Sequence, residues 1–553
     1  MRGPRLLFAV LLVLSIAVSL PSALTARASE PKVLRTLWSD GMPASFEPQS
    51  NDFGIGDLTL LVYEGLTRFD EQLNVVPGAA ESWAFNADGT AITYMLRENL
   101  TYSDGAPITA ERFKYAIARR CDPRLTVARA EFIYDVVGCE ELHDALEGVP
   151  GLPGDIPAEL MATLGVYARD ERTLEIQLTH PAPYFPTLTH WIGFIPVQQE
   201  RILAGGPEWW QDETQWVGNG PFKLQEIVPE GETPHVALVA NDRYWGGRPK
   251  LDGIELVVMD FNEALAAYQR GELEATWPPF DDLARLEADP QFSRHLVRMP
   301  SPDVNPFLLN ARTEPFSDKQ VREAFAYAFD REAYCREILR GTCTPLLSWM
   351  PPMVPGAIET DAYAFDPERA RAALAASSYG GPEGLPEITW YFDGQDDWSN
   401  EQAAWVREQF RQVLGVELTL APITWDELEA MQDNPATYPQ IADTYWWADP
   451  VDPHGWLQFW TCGNEWFTVK IGYCNPAFDE LAARSDAEMD PAERVRVAQE
   501  ANKLLVADVP AIFGYYGEQI GLMQPYVIGF ERGAPYQGFP GIATPLTLDI
   551  APH

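Results

Sequence analysis

The chain has 553 residues, with 81 acidic side chains against 40 basic ones and a formal net charge of −41. That length exceeds what one hydrophobic core usually fills, so two or three lobes are expected. The negative surface excludes nucleic acid and anionic membrane as natural partners; a solvated face explains the acidity, and charge alone names no function.

Residues 1–28 form a separate object. Arg2 and Arg5 precede an apolar run from Leu6 to Leu20, and Ala26-Arg27-Ala28 supplies a small-residue cleavage pattern. This reads as a secretory signal peptide, since 15 apolar residues fall short of the roughly 20 a spanning helix needs. Its removal takes away three arginines and leaves a mature charge of about −44. No later stretch is long and apolar enough to span a bilayer, so no membrane insertion is expected after cleavage, and the product is expected to be periplasmic or extracellular.

Further along, Asn86-Ala87-Asp88-Gly89 reads as a hairpin turn between strand-like runs. Thr109 is placed as the N-cap of a helix carrying Phe113, Ala116 and Ile117. The six cysteines fall into sequence-local pairs, Cys121 with Cys139, Cys335 with Cys343 and Cys462 with Cys474, which suggests three short-loop disulfides in an oxidising compartment. Ser317 with Gln320 is expected to cap a helix through Val321, Ala324, Phe325 and Ala328. Asp366-Pro367 starts another that Gly380 and Gly381 stop. A strand (387–392), a helix (400–415) and a strand (416–422) then make a βαβ unit, which calls for a parallel sheet. The next strand candidate, QIADTYWW (440–447), runs into ADPVDPHGW. Because ligands of open α/β sheets collect beyond the carboxyl ends of strands, Asp449 stands where a binding residue belongs. Asp490-Pro491-Ala492-Glu493 opens the last helix.

Four stretches taken together go beyond local structure: AESWAFNADGTAITYMLRENLTYSDGAPITAERFKYAI (80–117), GNGPFKLQEI (218–227), NDRYWGGRPKLDGIEL (241–256) and FSDKQVREAFAYAFDREAYCREILRG (316–341). In this order and spacing, with VYEGLTRFD (62–70) before them, they resemble the family 5 extracellular solute-binding proteins, the dipeptide/oligopeptide-binding class of ABC importers. The resemblance implies an α/β fold, a periplasmic-binding-protein-like clamshell of two mixed lobes plus an additional domain. One lobe would be built from 31–75, 200–290 and 515–553, the additional domain from 76–199 and the second lobe from 291–514. It further implies a monomer that engulfs a peptide or other small organic ligand between its lobes and presents it to ABC transporter permease subunits, with no cofactor and no enzymatic activity.

Peptide-binding relatives grip the peptide's amino group with an Asp in the segment that here reads YWWADP, a role only Asp449 matches. Trp446 and Trp447 end a strand and so point to opposite faces; Trp447 shares the parity of Asp449 and is favoured for the cleft. Asn310, in NPFLLNAR, stands where it could hydrogen-bond ligand backbone or support the hinge. One departure from the family is notable: dipeptide-selective relatives place a basic residue near the segment reading FDGQDDWSN (392–400), where this chain has Asp393, Asp396 and Asp397. A longer peptide, a cationic compound or an oligosaccharide is therefore left open. Two rival classes stand beside this reading. A secreted hydrolase would require an assignable carboxylate pair, and a metal site could be assembled from Asp449, Asp452 and His454.

Overall fold

A 12-stranded mixed sheet carries most of the architecture. In chain order its strands are β1 (Val33–Leu37), β2 (Phe222–Val228), β3 (His235–Ala240), β4 (Gly253–Val257), β5 (Ala275–Thr276), β6 (Leu296–Leu309), β7 (Cys343–Pro345), β8 (Ile388–Asp393), β9 (Leu418–Ile423), β10 (Ile441–Asp443), β11 (Trp446–Trp447) and β12 (Ala511–Met523). Their lateral order is β9-β8-β10-β6-β12-β5-β1-β4-β3-β2, with β7 added on β12 and β11 on β6. The computed structural model describes residues 31–39, 41–43, 45–49, 56–125, 133–231, 233–395, 397–447, 451–530 and 545–553, and Lys32–His553 form one compact unit.

The long antiparallel ribbon of β6 and β12 joins two wings. Its ladder runs from Leu296 opposite Leu522 to Leu308 opposite Ala511, and its register slips between Pro300 and Val304 and again between Val304 and Pro306. Pro300, Pro302 and Pro306 have no N–H to give a ladder, which is why the breaks fall there. In one wing β12 pairs with β5, and β5, β1 and β4 are mutually parallel. In the other, β6 pairs with β10, and β10, β8 and β9 are mutually parallel. Because β5 opposes β12 and β10 opposes β6, the carboxyl ends of both parallel sets point at the middle of the ribbon from opposite sides.

Period-two alternation separates the cores. On β6, Phe307 and Leu309 pack with Trp390, Phe325 and Phe410 on one face, while Val304 and Leu308 pack with Trp349, Trp446, Trp456 and Trp460 on the other. Leu34, Ile254 and Val297 belong to the core of the β1 wing. A separate antiparallel sheet, ordered Ala80–Phe85, Ala91–Leu96, Thr173–Gln177, Val166–Ala168, has its own core with Phe113, Tyr94 and Tyr184.

The relevant helices are α1 (Lys319–Ala328), α2 (Pro367–Ala376), α3 (Asp397–Leu414), α4 (Trp425–Gln432), α5 (His454–Leu457), α6 (Pro476–Ala487) and α7 (Pro491–Asp508). Several caps differ from the sequence expectation. Asp318, not Ser317, caps α1: its carboxylate accepts from the Gln320 N–H at 2.8 Å and also from the Ser378 N–H and hydroxyl, so a charged side chain with three donors takes the place of a neighbouring hydroxyl. Thr109 does stand at an N-cap, but its side chain makes no cap hydrogen bond. The α2 helix ends before Gly380, where Ser377 turns its hydroxyl back to the Leu374 carbonyl. Asp366 and Asp490 cap α2 and α7, each accepting from two backbone N–H groups. Disulfides close Cys121–Cys139, Cys335–Cys343 and Cys462–Cys474.

Candidate functional site

The facing carboxyl ends of the two parallel strand sets mark the candidate site, for the reason that loops and exposed strand termini gather there in open α/β sheets. On the β8 wing the ends are Asp393, Ile423 and Asp443. Beyond them, Trp425 is 58% exposed and Tyr445 53% exposed, large aromatic surfaces held over open space at one sheet edge.

The register between β6 and the β10–β11 stretch is unbroken: Phe307 opposes Asp443, Val304 opposes Trp446 and Asp303 opposes Trp447. Cross-strand partners share a face, so Trp447, Asp443 and Asp303 lie on one side of the sheet and Trp446 on the other. Trp446 is accordingly buried, 3.7 Å from the Phe459 ring centroid, inside the aromatic core. Trp447 is half-buried and on the carboxylate-bearing face. Asp449 lies outside the described residues, as does Asp396.

Asn310 is fully buried and spends both ends of its amide on main chain. Nδ2 donates to the Tyr438 carbonyl at 3.0 Å and Oδ1 accepts from the Arg312 N–H at 3.0 Å, which ties β6 to the segment leading into β10. Asp452 and His454 are similarly occupied. Asp452 accepts the His454 N–H at 2.9 Å, starting α5, and takes a two-pronged contact from Arg494 at 2.5 and 2.6 Å. His454 Nδ1 sits 3.0 Å from Asp486. Among the described residues no group of three or more His, Cys, Asp or Glu is placed to hold a metal ion.

Two acids that sequence reasoning passed over sit on this face. Asp303 is 6% exposed, and burial raises its carboxyl pKa against hydrogen bonds from Ser301 and the Gly517 N–H. Burial likewise raises Asp443. Asp443 ends a parallel strand and was findable by the rule that singled out Asp449; Asp303, set in SPDVNP, carries only the look of a turn.

A family model described as "Bacterial extracellular solute-binding proteins, family 5 Middle" matches residues 74–468. The chain belongs to this family. Among curated relatives, the "Dipeptide-binding protein DppE" of Bacillus subtilis is 27% identical over 521 residues, covering 92% of this chain and 91% of that protein. The "Oligopeptide-binding protein OppA" of the same organism is 27% identical over 494 residues, covering 86% of each. A solved structure of the "MppA Periplasmic Murein Tripeptide Binding Protein, Unliganded Open Form" superimposes with a TM-score of 0.79 at 23% identity, covering 95% of this chain and 98% of that one. The fold is thus the family's periplasmic-binding-protein-like clamshell of mixed α/β lobes, and the family is one of binding proteins rather than enzymes. Among the described residues, no helix is long and apolar enough to cross a membrane.

Proposed function

We propose that this chain is an exported receptor that encloses a peptide between two lobes and delivers it to the permease of an ABC importer. The observation that carries the reading is the pair of opposed carboxyl edges joined by the β6–β12 ribbon, an arrangement able to close on a ligand like a hinge. The names of the relatives, dipeptide- and oligopeptide-binding, supply the ligand class. Three disulfides accord with a signal peptide at 1–28 and an oxidising destination.

In this reading the first lobe comprises 31–75, 200–290 and 515–553, the additional domain 76–199 and the second lobe 291–514, and the breaks at Pro300 to Pro306 serve as the pivot. Asp449 holds the peptide's amino group, an ammonium to carboxylate contact of roughly 4 kcal/mol before desolvation at an effective dielectric near 20. Trp447 offers a stacking wall, Trp446 backs it from the core, and Asn310 fixes the strand that leaves the pivot. The chain acts as a monomer.

Titration calorimetry of the purified chain with di-, tri- and pentapeptides tests this reading. Micromolar or tighter binding is expected, with at least a tenfold loss in Asp449→Asn for peptides with a free amino terminus and a smaller loss for their N-acetylated forms. Absence of binding to every peptide, or turnover of a peptide, overturns it.

A further inference from the structure

The edge of the β8 wing carries a one-sided chemistry. Segments 301–305, 393–400, 423–432, 441–447 and 515–519 contain no lysine or arginine. Within this setting Asp303 is unusual. It occupies the slip in the β6–β12 ladder, directly over Gly517, where its two carboxylate oxygens lie 2.6 and 2.8 Å from the point a Cβ would occupy. Its Oδ1 is enclosed and has no hydrogen-bond partner, and among the described residues Asp303 and Asp443 enter no ion pair. Tyr515 links the two acids: its buried hydroxyl is within electrostatic reach of both, and they help burial to raise its pKa. Asp303, Asp443 and Trp447 share one face of the sheet.

A buried carboxylate oxygen without a donor is costly, and either a proton or a cation relieves it. The space over Gly517 is a consequence of sequence: any side chain at 517 would displace the acid from where it sits. Aromatic surface at Trp447 and Tyr445 adds the neighbour a guanidinium or ammonium prefers.

We propose that Asp303, with Asp443 further along the same face, is a cation subsite that makes this receptor selective for peptides carrying a basic side chain. This rests on the reading that the cleft takes peptides. The carboxylates supply the charge, the absence of a side chain at Gly517 leaves Asp303 its place in the ribbon break, and the lack of lysine and arginine in those segments limits repulsion. The subsite is separate from the role given to Asp449, since it addresses a side chain rather than the terminal amine.

The test is calorimetry of the full exported chain with tripeptides in which Lys, Arg or norleucine is moved through the three positions of an otherwise alanine sequence. At one position at least, the Lys or Arg peptide should bind at least tenfold more tightly than its norleucine counterpart, and Asp303→Asn should shrink that ratio at least fivefold. Asp443→Asn should reduce it as well, which keeps the test available where Asp303→Asn fails to fold. Equal affinities for basic and norleucine peptides in the unmodified chain overturn the subsite and leave the peptide reading standing. An Asp303→Asn variant that weakens both classes in equal proportion overturns it too, assigning the acid to the ribbon alone. Absence of binding to all of these peptides overturns the peptide reading and this inference together.

Discussion

His454 lies flat against Tyr184, with ring centroids 3.8 Å apart and planes within 4°. The pair joins the core of the small antiparallel sheet to the start of α5, and charged groups close around it. Tyr184 donates to Asp135 at 2.7 Å and meets His180 Nε2 at 3.0 Å, while Asp486 and the Asp452–Arg494 pair stand on the His454 side. Burial works against the imidazolium, but Asp486, then Asp135 and Asp452, outweigh it and raise the pKa of His454 above 6.5. A raised histidine pKa contributes stability fully below the unfolded value and loses it as pH rises through the folded one. Melting temperature should therefore fall as pH climbs from about 6.5, and His454→Gln should flatten that part of the curve. An unchanged slope in the variant would remove His454 as its source.

Glu64 gives a second, independent pH signature. Its buried carboxyl accepts from the Tyr244 hydroxyl and the Trp245 indole N–H, and burial nevertheless lifts its pKa from 4.5 to about 7. The folded protein thus keeps a proton that the unfolded chain releases earlier, so stability drains away between about pH 4.5 and 7 and is flat above. The loss is on the order of 3 kcal/mol. Urea titrations of Glu64→Gln across that window should lack this decline.

Arg494 and Asp452 form a buried, two-pronged pair with side chains only 10% and 7% exposed. Arg494→Leu strands the carboxylate and should destabilise by roughly 3–5 kcal/mol, whereas the double change Arg494→Leu with Asp452→Leu should recover much of that loss. Chemical denaturation of the two variants checks the order; a single variant no worse than the double would contradict it.

Cys121 and Cys139, 18 residues apart, staple the helix at Ala110–Arg120 to its neighbour inside the core of the small antiparallel sheet. Replacing both with alanine should cost about 3 kcal/mol, seen as a lower melting temperature that added reductant does not reduce further by the same step. A double variant melting with the parent would show the staple to be idle.

What could be read in advance followed from local rules. The βαβ unit, the proline-led helices at Asp366 and Asp490 and the opposite facing of Trp446 and Trp447 all follow from spacing of 3.6 or 2 and from cap chemistry, and the structure has them within a few residues. The cap of α1 moved by one residue because two adjacent side chains could both serve, and contact with Ser378, 60 positions away, decided between them. Asp303 was hidden for a stronger reason. Pro300, Pro302 and Pro306 make its segment look like a loop, yet it is the interior of a 14-residue strand, because β12 and β11 hold it from both sides and the ladder tolerates slips at the prolines. Lateral strand order, set by pairings hundreds of residues apart such as β1 with β4, has no local signature at all.

The ladder break also has a mechanical consequence. A force exerted at the axis of a hinge has no lever arm, so, with the ribbon break as the proposed pivot, a charge captured at Asp303 would tighten binding without turning one lobe toward the other. Trp425 follows β9, a strand three places away from β6, or about 14 Å at the usual strand spacing, and in the same reading contact there would exert torque. In the proposed reading the chain would separate two jobs: recognition of charge near the axle, and the pull that shuts the jaws at the rim. A ligand too short to reach from one to the other would be held without being enclosed.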